Sequence, residues 1–154
     1  MATTISNATM TVTITETVSL NGSPQGATNT LTIASVDEIY KRILTCTASQ
    51  TTTIATFNAT VHGAANALDL QDCKYIRITN KDDTNPLELA IVGASTCYQV
   101  ELAAGESHIL GNPEALMLAE ADTSPSFGTM ADLASLQVNP GSNAVDVEIF
   151  AASV

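Results

Sequence analysis

Apolar residues alternate with threonine from early in the chain. Met10, Val12, Ile14 and Val18 keep one phase, Thr11, Thr13, Thr15 and Thr17 fill the other, and Glu16 breaks the apolar row. A period of two is the spacing of a half-buried strand. Asn21, Gly22, Pro24 and Gly26 mark a turn, and residues 28–33 read as a second strand. Residues 36–47 fit two patterns. Val36, Ile39, Tyr40, Ile43 and Leu44 lie on a helical stripe, whereas Tyr40, Arg42, Leu44 and Cys46 lie on one face of a strand. The threonine-rich flanks favour the strand. Residues 52–61 form another strand, followed by a loop over 62–66 that carries His62 and Gly63.

The sharpest alternation lies in residues 73–80. Ile76 and Ile78 face one way, and Tyr75, Arg77 and Thr79 face the other. A polar turn at 81–86 leads to a strand at 87–92, which predicts a hairpin with a six-residue loop. Further strands are expected at 97–102, 107–110 and 115–119. Residues 120–130 form a loop rich in Ser, Gly, Pro and Asp. Residues 133–138 and 145–150, joined by Asn139, Pro140, Gly141, Ser142 and Asn143, predict a closing hairpin. That makes about ten short strands with turn signals every 8–12 residues, the pattern of an all-β antiparallel sandwich or barrel. No Pro/Ser-rich linker divides the chain, so residues 1–154 are expected to form one β-sandwich domain, with residues 1–30 as an N-terminal arm.

Composition narrows the function. The chain has 154 residues, 45% hydrophobic and 14% charged, which is a globular and not a disordered balance. It holds 22 Ala and 22 Thr, no Trp, and only three Tyr and three Phe. So few aromatics make a stacking surface for single-stranded nucleic acid, or a sugar-binding platform, a poor expectation. The net charge of −11 disfavours binding to phosphate backbones and anionic membranes. All five cations (Lys41, Arg42, Lys74, Arg77, Lys81) lie between positions 41 and 81, and 11 acids with no Lys or Arg follow from Asp82 onward. This asymmetry suits a protein that packs against copies of itself or a larger assembly.

Candidate chemistry is sparse. Cys46, Cys73 and Cys97 are odd in number and widely spaced, which reads as free, buried thiols in a reducing compartment and not as a zinc or redox motif. The opening MATTISNATM lacks the basic start and apolar core of a secretory signal. His62 and His108 are the only histidines, and neither stands in a catalytic motif. Asp82, Asp83, Thr84 and Asn85 cluster oxygens without calcium-loop spacing and read as a solvated turn, with ion binding left open. No catalytic, cofactor or metal residue is expected. Tyr75, Arg77 and Lys81 are the candidate interface residues, since Tyr and Arg are favoured anchors.

Three stretches carry a resemblance: YIRITN at 75–80 with the turn to Asn85, LAAGES at 102–107, and VNPGSNAVDVEIF at 138–150. In this order, over residues 68–154, they resemble small β-rich virion proteins of tailed bacteriophages. The resemblance implies a jelly-roll-like framework and a non-enzymatic structural role. It points first to a capsid decoration, or cement, protein that binds the major capsid protein on the outer shell as a homo-oligomer, with a trimer favoured. Such a protein would be assembled in the host cytoplasm. A tail, neck or fibre component is the alternative, and a carbohydrate-binding module is the second. The resemblance transfers no functional residue.

Overall fold

The computed structural model describes residues 4, 6–60, 67–120 and 124–154. The expected loop at 62–66, with His62, and Asp122 of the 120–130 loop lie outside the described residues. Among the described residues, all regular structure is strand. The chain divides into two compact units, residues 1–38 with Val154, and residues 39–153.

The first unit is a long two-stranded ribbon. β1 (Ala8–Thr15) pairs antiparallel with β4 (Thr28–Val36), and between them β2 (Ser19–Leu20) and β3 (Ser23–Pro24) form a minimal hairpin. Asn21 and Gly22 sit between β2 and β3 with φ of 51° and 76°. Positive φ at both central residues is the geometry that Asn-Gly supplies for a two-residue hairpin turn. Gly26 is required for another reason: a Cβ there would lie 1.9 Å from the carbonyl oxygen of Glu16. The ribbon corrects one expectation. β1 ends at Thr15, short of Val18, and its apolar row is not half-buried throughout, because Ile14 is 45% exposed. The ribbon has only two strands, so neither face is covered by virtue of strand pairing.

The second unit is a β-sandwich. One sheet has the order β11-β8-β13-β5, built from β11 (Ser107–Leu110), β8 (Cys73–Asn80), β13 (Val145–Ser153) and β5 (Glu38–Cys46). The other has the order β10-β9-β12-β6-β7, built from β10 (Cys97–Leu102), β9 (Leu87–Gly93), β12 (Leu133–Asn139), β6 (Thr52–Asn58) and β7 (Ala67–Asp69). Leaving out β7, the eight strands follow jelly-roll connectivity: successive strands cross between the sheets, and only β9 and β10 are sequence neighbours paired in one sheet. The inner rows of both sheets form one core. Ile76, Ile78, Val147 and Ile149 come from one side, Leu89, Ile91, Leu136 and Val138 from the other, and all eight are fully buried.

Several expectations change here. Residues 73–92 do not form a hairpin, because β8 pairs with β11 and β13 while β9 pairs with β10 and β12. The closing pair β12 and β13 is likewise split between sheets. The physical reason is common to both: each of these strands presents an apolar face, and a five- or six-residue loop spans the ~10 Å between packed sheets as readily as it closes a hairpin. The strand expected at 115–119 is reduced to a single bridge, Met117 with Ala131. β7 runs parallel to β6, a pairing that no alternation signalled. Cys46 and Cys73 are buried as expected, but Cys97 lies exposed on edge strand β10. Within residues 36–47, Val36 closes β4 and Glu38–Cys46 form strand β5, so the strand reading holds over the helical one.

Candidate interaction surface

The outer face of the four-stranded sheet carries the side chains that alternation sends away from the core. In register across it lie Ile109, Arg77 and Phe150, then Ser107, Thr79 and Glu148. The Arg77 guanidinium donates to Glu148 Oε1 at 2.6 Å through Nη2, and through Nη1 to the Thr79 hydroxyl. Thr79 and Ser107 share a hydrogen bond of 2.7 Å. Lys41 on β5 approaches Glu148 Oε2 at 3.5 Å. The guanidinium also stands 6.0 Å from the centre of the Phe150 ring, and that ring meets Tyr75 edge to face at 6.2 Å. A single polar ladder therefore ties β11, β8, β13 and β5 together.

Arg77 holds the Glu148 carboxyl below its ordinary value of 4.5, chiefly through the hydrogen bond it donates, with Lys41 adding to the effect. A carboxyl lowered on folding contributes stability that is complete above the unfolded-chain value and is lost as pH falls through the folded value. Glu148→Gln is expected to cost about 1–2 kcal/mol at neutral pH, since Arg77 and Lys41 lose their charged partner on a partly solvated face. The loss should shrink as pH falls below 4.5, because the carboxyl of the unfolded chain takes up its proton first and that of the folded chain follows at lower pH. Urea melts at pH 7 and pH 3.5 check this, and an equal difference at both values would exclude the ion pair as the cause.

The three sequence candidates separate. Tyr75 and Arg77 do share the outer face, but Tyr75 is only 5% exposed, so it offers no free anchor to a partner. Arg77 is engaged with Glu148 of its own chain. Lys81 lies beyond the end of β8; it is exposed, and its backbone N–H donates to the Asp146 carbonyl at 2.8 Å. Glu148, Ser107 and Lys41 were missed as partners. The available signal was an acid in the middle of an alternating strand, in phase with Phe150.

The motifs that carry the phage resemblance form the loop fastenings at strand ends. Asn80 is fully buried, and its amide donates to the carbonyls of Asn85 (2.8 Å), Leu102 (3.1 Å) and Ala103 (3.2 Å). Its Oδ1 accepts from the Asp82 N–H at 3.0 Å. Within the LAAGES turn, the Glu106 carboxylate accepts from the Ala103 N–H, and Gly105 takes a φ of 78°. Asn139 Oδ1 accepts from the Gly141 N–H at 3.0 Å.

In the 82–85 turn, Asp82 Oδ1 accepts from the N–H groups of Thr84 and Asn85 and from the Asn85 side-chain amide. These bonds, the Asn85 N–H first, lower the Asp82 pKa, so this oxygen is committed to shaping the turn. Among the described residues, no three His, Cys, Asp or Glu side chains gather as a metal site. His108 lies on β11 with its ring 6.5 Å from Tyr98, and burial pushes its pKa down.

No family model matches the chain, and no curated protein is similar to it at a significant level. Among solved structures, one described as Bacillus endospore appendages that form a novel family of disulfide-linked pili is similar at 11% identity. That similarity covers 76% of this chain and 85% of the other, with a TM-score of 0.44.

A shallow cleft of about 330 Å³ lies among the loops at one end of the sandwich, lined by Pro86, Glu88, Glu101, Asn139, Pro140 and Asn143, among others. Glu88 and Glu101 stand directly opposite each other on β9 and β10. Like charges in that relation repel, so the cleft mouth is electronegative.

Proposed function

We propose that the chain is a non-enzymatic structural subunit of a tailed-bacteriophage particle, most specifically a capsid decoration protein that binds the major capsid protein as an oligomer. The observation that carries this reading is the use to which the motif side chains are put. Asn80, Glu106 and Asn139 fasten loops, and Arg77, Thr79 and Glu148 lace strands, so the residues behind the resemblance serve rigidity. A rigid jelly roll preceded in sequence by an amphipathic ribbon supplies a shell-bound unit with a separate element for contact. The absence of Lys and Arg outside positions 41–81, with a net charge of −11, keeps such a unit off packaged nucleic acid. Many weak copies on a lattice gain in avidity what each contact lacks.

Quantitative mass spectrometry of purified particles tests the reading. About one copy per major capsid subunit is expected. A few copies per particle would instead assign the chain to tail, neck or fibre, and complete absence would sink the virion reading.

A further inference from the structure

The β1–β4 ribbon has two unlike faces. The register places Met10 opposite Ile33 and Val12 opposite Leu31, with Ile14 next along the same face. The other face is threonine throughout: Thr11 opposite Thr32, Thr13 opposite Thr30, and Thr15 opposite Thr28. Ile33 is buried and Met10 and Val12 are half-buried, but Ile14 and Leu31 are 45% and 51% exposed. Val18 and Leu20, in the same unit, are 51% and 64% exposed. Among the described residues, β1 pairs only with β4 and β4 only with β1, so no further strand extends either edge. A two-stranded ribbon is marginal in water unless its apolar face finds cover.

We infer that the apolar face of this ribbon, centred on Val12, Ile14 and Leu31, is the self-association surface of the protein, and that its occupant is the same face of another copy of the chain. Charge selects this occupant. Residues 4–36 contain one charged side chain, Glu16, in a chain of net charge −11. Copies that meet through their sandwiches bring like charge together, whereas copies that meet through their ribbons do not. A charged partner would find nothing on the ribbon to pair with. Two apolar sheet faces pack by interdigitating their side chains, and a twofold pair brings the same face of each copy together. The inference rests on the reading of the chain as an assembling subunit, and it names the contact.

The test is sedimentation velocity and light scattering on the full chain across a wide concentration range. The wild type should form a discrete oligomer. The triple variant Val12→Thr, Ile14→Thr, Leu31→Thr keeps strand propensity while removing the apolar face, and should weaken association by about a hundredfold or more. Changing the opposite face by Thr13→Glu with Thr30→Lys, a cross-strand pair, should leave association within about threefold of wild type. A wild type that stays monomeric, or a triple variant that associates as well as wild type, overturns the inference. Should the triple variant fail to fold, hydrogen exchange on the wild type decides. Protection of the 8–15 and 28–36 amides must rise with protein concentration, and protection independent of concentration would mean that the chain covers its own ribbon. A monomer found at high copy on particles would sink this contact and leave the virion reading intact, while ribbon-dependent oligomers with no copies on particles would do the reverse.

Discussion

Asn80→Ala is expected to destabilise the sandwich by about 3 kcal/mol, far more than the loss of one small polar side chain from a surface turn. The Asn80 amide is fully buried and serves the carbonyls of Asn85, Leu102 and Ala103, and its oxygen serves the Asp82 N–H. Removing it leaves four backbone groups without their donor or acceptor, at about 1–3 kcal/mol for each one that water cannot reach. Water reaches some of them, since only the Leu102 bond is fully buried, which keeps the total near the lower end. Asn80→Asp separates hydrogen bonding from packing. The aspartate is nearly isosteric but turns acceptor oxygens toward three carbonyls, so it should be at least as damaging as alanine. Urea denaturation at neutral pH, read as a fall in midpoint at unchanged slope, checks both variants. A cost below 1 kcal/mol for the aspartate would mean that the three amide bonds contribute little.

Ile149→Ala should cost about 4 kcal/mol, within the range for emptying a well-packed core site. Ile149 is fully buried on β13, directly opposite Ile78 on β8, and its strand has neighbours on both sides. Close packing on every side limits how far the cavity can collapse. The informative control is Ile14→Ala. Ile14 also sits in an alternating strand, yet it is 45% exposed in the ribbon unit, so the same substitution should move the sandwich melting transition by less than about 0.5 kcal/mol. Equal costs at the two positions would contradict the burial assignment.

That pair of isoleucines shows how far the sequence reaches. Ile14 and Ile149 lie in segments with the same period-two alternation of apolar and polar residues, and the strand around Ile14 is the richer in β-branched residues. The alternation by itself does not distinguish the strand that ends in a central position from the strand that ends in a two-stranded ribbon. Turn chemistry was far more legible. Asn-Gly at 21–22, the Gly105 turn and the Asn139–Gly141 turn all stand where residue type placed them, because backbone φ preference and short side-chain hydrogen bonds act within a few residues. The alternation of Tyr75, Arg77 and Thr79 against Ile76 and Ile78 held for the same reason, since it depends only on the strand period.

Pairing was not legible. The turns at 81–86 and 140–144 looked like hairpin turns, but they carry the chain from one sheet to the other, and a short polar turn has the same residues in either use. The Glu148 partnership with Arg77 and Lys41 joins positions far apart in the chain, so no spacing rule could point to it. Local physics in the sequence thus determined the strand class, the faces of individual strands and the turn sites. Only the tertiary structure decided which strands are neighbours, which apolar faces are covered, and that Tyr75 and Arg77 are engaged within the chain while Ile14 and Leu31 of the ribbon stay exposed. Those outcomes depend on burial summed over distant segments, which no window of neighbouring residues contains.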